Sequence, residues 1–196
     1  MTLVFASHNQ NKVNEIKSLL PHTFEILSLT DIGFSDEIEE TGRTLDENSK
    51  IKAQAVFDKT GYFCFADDTG LEIEALNFEP GVFSARYAGN QKNDSDNIEK
   101  VLSKLYGMAN RNACFRTVIT LLIEQEEYTF EGRVDGKIIT EKRGEFGFGY
   151  DPIFIPENES RTFAEMPMEE KNLYSHRARA FQKMIEFLLK NQFKLS

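Results

Sequence analysis

Between Leu3 and Ala66 the chain alternates short apolar runs with helical patterns, and this order restricts the fold more than any other feature. Leu3-Val4-Phe5-Ala6 has the length and composition of a buried strand. Asn9 then stands as the N-cap of a helix whose apolar residues Val13, Ile16, Leu19 and Leu20 recur at helical spacing before Pro21. Residues 24–29 read as a second strand, and Thr44 with Glu47 forms a capping box opening a helix that ends before Gly61. Residues 62–66 read as a third strand that stops at Asp67-Asp68-Thr69-Gly70. Helices between strands are the crossovers that parallel pairing needs, so the class expected is α/β.

The second half changes character. After the turn-rich Glu79-Pro80-Gly81, Ser95 or a neighbour opens a helix with Ile98, Val101, Leu102 and Leu105 on one face. Residues 113–123 and 128–139 alternate like strands and are joined by an acidic link, the pattern of an antiparallel hairpin. Ala178, Phe181, Ile185 and Leu188 mark an amphipathic last helix, entered through Ser175-His176-Arg177. No internal repeat or Pro/Gly-rich linker divides the 196 residues, so a single domain over 1–196 with two lobes is expected.

Composition narrows the function. A net charge of −9 argues against general nucleic-acid binding, which relies on a basic face. No run approaches the ~20 apolar residues of a membrane span, and the N-terminal apolar run is too short for a signal peptide, so a cytoplasmic protein is expected. Cys64 and Cys114 lie in apolar, strand-like runs and read as reduced, buried thiols.

Four segments carry chemistry. Ser7, His8, Asn9, Gln10, Asn11 and Lys12 lie between a strand and a helix, where backbone N–H groups and the helix dipole favour an anion such as phosphate. The segment has no Walker-type glycines, and its plainer reading is an N-cap beside a solvated lysine. Asp67 and Asp68 stand at the end of a strand, where open α/β sheets bind ligands, and two adjacent acids need a cation or donors to hold them. In residues 144–152 glycines alternate with aromatics, which suits close backbone approach and a ring stacked on a base; the plainer reading is a bulged strand. Lys171, His176 and Arg177 gather donors around the start of the last helix, where a lone His–Arg pair is more often a solvated helix end.

The order of these segments closely resembles that of the noncanonical purine nucleoside triphosphate pyrophosphatases, the "house-cleaning" enzymes for dITP and XTP. The resemblance is carried by Ser-His-Asn-Gln-Asn-Lys, Glu-Glu-Thr-Gly with Glu-Asn-Ser-Lys-Ile-Lys-Ala, Ala-Asp-Asp-Thr-Gly-Leu-Glu-Ile, Pro-Gly-Val-Phe-Ser-Ala-Arg-Tyr-Ala-Gly, Gly-Phe-Gly-Tyr-Asp-Pro-Ile-Phe and Glu-Glu-Lys-Asn-Leu-Tyr-Ser-His-Arg-Ala-Arg-Ala. It implies cleavage of ITP, dITP and XTP between the α- and β-phosphates by a Mg²⁺-dependent homodimer. The implied fold has two α/β lobes around a long mixed sheet, with flanking helices and the active site in the cleft between the lobes.

Residue by residue, the resemblance implies that Ser7 to Lys12 hold phosphates. Asp68 would be the catalytic base and a metal ligand, and Glu39 the second metal ligand, with Glu40 an open alternative. Thr69, Phe148, Gly149, Tyr150, Asp151, Lys171, His176 and Arg177 would line the substrate. The family more often has Thr-Gly at Ser7-His8, Ser at Thr69 and Gly at Ala178. With a metal and lysines nearby, Asp68 is expected to be ionised without any upward pKa shift. Two rival readings stand beside this one. A pyrophosphatase for modified pyrimidine nucleotides is disfavoured by residues 148–151 and 175–177, and a silent nucleotide sensor by the presence of Glu39, Asp67 and Asp68.

Overall fold

In the computed structural model, which describes residues 2–21, 23–123, 126–191 and 193, local signals set most element ends. Strand β1 (Thr2–Phe5) leads into α1 (Gln10–Ser18), and the Asn9 side chain caps α1 by accepting from the N–H groups of Asn11 and Lys12. Strand β2 (Glu25–Ser28) precedes α2 (Leu45–Thr60), which Thr44 caps through the Glu47 N–H and Gly61 closes at a φ of 69°. Then follow β3 (Cys64–Ile73), α3 (Asp94–Lys104), β4 (Asn112–Ile123), β5 (Glu126–Ile138), β6 (Phe154–Pro156), α4 (Met168–Lys171) and α5 (His176–Asn191). The strands form one mixed sheet in the order β2-β1-β3-β4-β5-β6.

Strand β1 pairs in parallel with β2 and with β3, in register Phe5↔Ser28 and Phe5↔Phe65. Strands β4 and β5 are neighbours separated by two residues, too few for a parallel crossover, so the expected hairpin forms. Of the acidic link, Glu126 and Glu127 already belong to β5, while Glu124 and Gln125 lie outside the described residues.

The sequence reading needs revision at β3. Strand β3 does not stop at Asp67 but runs on to Ile73, because both carboxylates find internal donors and Leu71 and Ile73 return to an apolar, fully buried alternation. Helix α3 opens where the sequence pattern places it, and of the residues around Ser95 it is Asn93 that caps it, its side chain accepting from the Asp96 N–H at 3.0 Å. Strand β6 and the one-turn α4 have no counterpart in the sequence pattern.

The chain divides into two compact units. The first comprises Met1–Asp68, Thr117–Gly132 and Arg177–Ser196, the second Thr69–Arg116 and Arg133–His176. In the first unit the strands are covered on both faces. Leu3, Phe5 and Phe65 pack with Val13 and Ile16 of α1 and Phe181, Met184 and Leu188 of α5, whereas Val4, Cys64 and Ala66 pack with Ala53 and Val56 of α2. Such two-sided burial is why these strands read as unbroken apolar runs. The second unit packs Leu71 and Ile73 with Ile98 and Val101 of α3 and its C-cap Leu105, Phe115 of β4, Val134 and Ile138 of β5, and Phe154 and Phe163.

Candidate active site

Asp67 and Asp68 follow the last residue of β3 in register with β1, so they stand just past the carboxyl ends of the first unit's parallel strands. Successive strand residues point to opposite faces, and this separates the two acids. Asp67, 1 % exposed, continues the side of Phe65 and meets α1 and α5: Lys12 Nζ donates to its Oδ1 at 2.9 Å and Arg177 Nε to its Oδ2 at 3.1 Å. Arg177 also pairs with the buried Glu15 of α1. Asp68, 7 % exposed, continues the side of Ala66 and meets α2, where Asn48 Nδ2 donates to its Oδ2 at 3.1 Å and Lys52 Nζ lies 3.5 Å from its Oδ1. Lys52 also donates to Glu40 Oε1 at 2.9 Å.

These surroundings push the two carboxyls apart in acidity. Burial alone would raise Asp67, but the charges of Lys12, Arg177 and Lys52 hold it well below the usual carboxylate range. For Asp68 burial prevails over Lys52 and Lys12, and the nearby Glu40 adds to the rise, so its pKa lies above the ordinary value. Lys52 and Lys12 alone thus do not offset burial at Asp68; the expectation of an unshifted carboxyl counted a metal beside them. Lys52 is raised despite burial, through Asp68 and Glu40, and stays charged.

The β1–α1 loop is partly turned on itself. Asn9 engages the Asn11 and Lys12 N–H groups at 3.0 and 3.3 Å, Ser7 Oγ accepts from the Asn9 N–H, and Gln10 reaches Asn14. Lys12 is committed to Asp67. His8 is exposed, and its Nε2 lies 3.1 Å from the carbonyl of Asp36. Of the two glutamates considered as ligands, Glu39 is exposed, and Glu40 is the one bridged to Asp68 by Lys52.

The second unit gathers the remaining residues except Arg177. Asp151 is buried, and its Oδ2 accepts from the Phe148 N–H at 2.9 Å and from Lys171 Nζ at 2.6 Å. Gly147 makes this possible, since a Cβ there would lie 2.1 Å from Asp151 Oδ2. Lys171 Nζ sits 5.1 Å from the centre of the half-buried Phe148 ring. Gly149 donates its N–H to Asp94 Oδ2 at 2.7 Å, and Thr69 is half-buried in β3. Tyr150 is a core residue whose hydroxyl donates to the Ser84 carbonyl at 2.8 Å. His176 is no solvated helix end: it is buried and stacks on Phe115 at 4.6 Å between ring centres.

Sequence reasoning assigned no role to Glu15, Asn48 or Lys52. The signal was there, because Asn48, Lys52 and Val56 recur at i, i+4 on the inner face of α2, and Glu15 is a charge beside Val13 and Ile16 on the inner face of α1.

Fold and site define a class of protein: an α/β sheet whose parallel strands lead into a buried acidic centre beside a helix N-terminus. Within that class the chain belongs to the Ham1 family, whose model matches residues 3–187. It is 54% identical over 188 residues to a dITP/XTP pyrophosphatase of Flavobacterium johnsoniae, covering 96% of this chain and 98% of the relative. A dITP/XTP pyrophosphatase of Bacillus subtilis is 50% identical over 189 residues, covering 94% and 96%. The solved structure of the Staphylococcus aureus Ham1 protein superposes with a TM-score of 0.88 at 40% identity, over 97% of this chain and 100% of that one.

Proposed function

We propose that this chain hydrolyses noncanonical purine nucleoside triphosphates, ITP, dITP and XTP, to the monophosphate and pyrophosphate. The observation that carries the proposal is Asp68, a buried carboxylate with raised pKa, fixed by Asn48 and Lys52 just past the parallel strand ends. Asp68 takes the proton of the attacking water as the water oxygen bonds to the α-phosphorus and the bond to pyrophosphate breaks. Full-length similarity to relatives named dITP/XTP pyrophosphatase supports the substrate class.

Mg²⁺ fits the donor set, which is carboxylate oxygen alone: Asp68 with Glu39 or Glu40 would hold it. Among the described residues no group of three or more His, Cys, Asp and Glu could hold a metal, so water and substrate phosphate would complete the shell of an ion that needs few protein ligands. Bound there, the ion supplies neutralisation of phosphate charge. Lys52, already drawn between Glu40 and Asp68, marks the place as one that attracts a cation.

Phe148 stacks the base, and the neighbouring Lys171 ammonium donates to the 6-oxo group, where adenine would bring an amino donor against a donor. The homodimer and the cytoplasmic setting are likewise readings. Exposed Phe78 and Phe83 on either side of Pro80 and two unpaired thiols support them, and no helix among the described residues is long and apolar enough to cross a membrane. Pyrophosphate release from ITP, dITP, XTP, ATP and GTP, with and without Mg²⁺, tests the proposal. Fast release from ITP or XTP only with Mg²⁺ is expected, and equal rates on ATP would refute it.

A further inference from the structure

The geometry points to Asn48 as a positioning residue that fixes the Asp68 carboxylate and the acidic loop before α2 in one arrangement. The inference rests on the reading of Asp68 as the catalytic base. Asn48 lies in the first turns of α2 and is 0 % exposed. Its amide is engaged at both ends: Oδ1 accepts from the Gly42 N–H at 2.8 Å, and Nδ2 donates to Asp68 Oδ2 at 3.1 Å. The Gly42 N–H can only donate, so the oxygen of the amide must face it and the nitrogen must face the carboxylate; the orientation has no alternative.

One side chain thus ties Gly42, at the end of the loop that carries Glu39 and Glu40, to the base, which lies 20 residues beyond Asn48. Gly42 is part of the device, since a Cβ there would lie 2.6 Å from Asn48 Oδ1 and 2.7 Å from the Glu47 Cβ. Lys52, one helical turn on, holds the other side of the same assembly by reaching Asp68 Oδ1 and Glu40. Asp68 therefore meets a neutral donor on one oxygen and a cation on the other, which sets the plane of its carboxylate.

A purely structural role explains Asn48 poorly. The cap of α2 is already served by Thr44, which accepts from the Glu47 N–H at 3.1 Å. Asn48 is buried on α2 beside Leu45, Ala53 and Val56 as well as Ser49 and Lys52, and a buried amide is costly unless both its ends are used.

The test compares Asn48→Asp and Asn48→Ala with the wild-type chain on whichever triphosphate the wild type hydrolyses fastest, with thermal melting of each. Asn48→Asp keeps an oxygen for Gly42 but replaces the donor to Asp68 by a second carboxyl, so Asn48→Ala, which removes the donor without adding charge, must show the same fall for it to count as lost positioning. A folded Asn48→Asp should lose about a hundredfold in kcat, the scale of a 1 Å misplacement, with KM within about threefold. A folded variant with kcat within about threefold of wild type, or a loss confined to KM, overturns the inference. Should Asn48→Asp fail to melt cooperatively, Asn48→Ala decides by the same criteria.

A second readout needs no activity. The Gly42 amide should exchange with solvent slowly in the wild type and in Asn48→Asp, and fast in Asn48→Ala; fast exchange in the wild type overturns the inference. If the wild type hydrolyses none of the triphosphates, the proposed activity falls, and Gly42 exchange still decides whether Asn48 anchors the loop.

Discussion

Arg177 Nε donates to Asp67 Oδ2 across 110 residues of sequence, with both side chains almost wholly removed from water. With Glu15 and Lys12 they form a set of two cations and two carboxylates whose charges cancel. A buried set of this kind contributes little net stability, but removing one member leaves others uncompensated. Asp67→Asn is expected to destabilise the first unit by about 3–5 kcal/mol in urea unfolding. A loss below about 1 kcal/mol would mean that water or a rearranged partner takes the place of Asp67.

Asp68 points the other way, and its substitution should read out differently. Asp68→Asn keeps an oxygen for Asn48 and the size of the side chain, so the melting temperature should stay within a few degrees. Turnover should fall by about 10²–10⁴-fold, the range for a lost general base. Activity within about tenfold of wild type would remove Asp68 from the chemistry.

Phe148 is half-buried, which suits a ring proposed to meet a ligand better than a core position, and Lys171 Nζ lies over its ring. Phe148→Ala should weaken ITP binding by about 1–3 kcal/mol and leave melting nearly unchanged. A core residue would instead cost about 3–5 kcal/mol of stability. A large fall in melting temperature with unchanged KM would therefore retire the stacking role.

How much of this was legible follows from the range of the interactions. Asn9, Thr44 and Gly61 announce helix ends because caps act within a few residues. The acids were recognisable by their place after an apolar run, but what they do depends on Lys12, Asn48 and Arg177, which nothing local brings to them. The continuation of β3 was hidden for the same reason, since two adjacent aspartates read as the end of a strand unless their distant donors are known. His176 shows the same limit: the plainer reading of a His–Arg pair at a helix start is solvent, and only the distant Phe115 of β4, on which the ring stacks, shows that it is buried.

The two thiols should be inert in the folded protein. Burial pushes both Cys64 and Cys114 up to about 12, with Glu72 adding to the rise at Cys114. A raised thiol pKa means little thiolate below that value, so both should react slowly with a disulfide reagent at pH 8 and quickly in urea. Stoichiometric labelling of the native chain within minutes would contradict this.

The two units have a consequence for how such a chain can be altered over generations. The backbone passes from one to the other four times, after Asp68, Arg116, Gly132 and His176, so neither unit is a continuous stretch of sequence. No single cut in a gene isolates either half, and a deletion from Arg177 onward would strip α5 and the partner of Asp67 and Glu15 from the first unit. Neither unit can therefore be exchanged by itself as one contiguous gene segment.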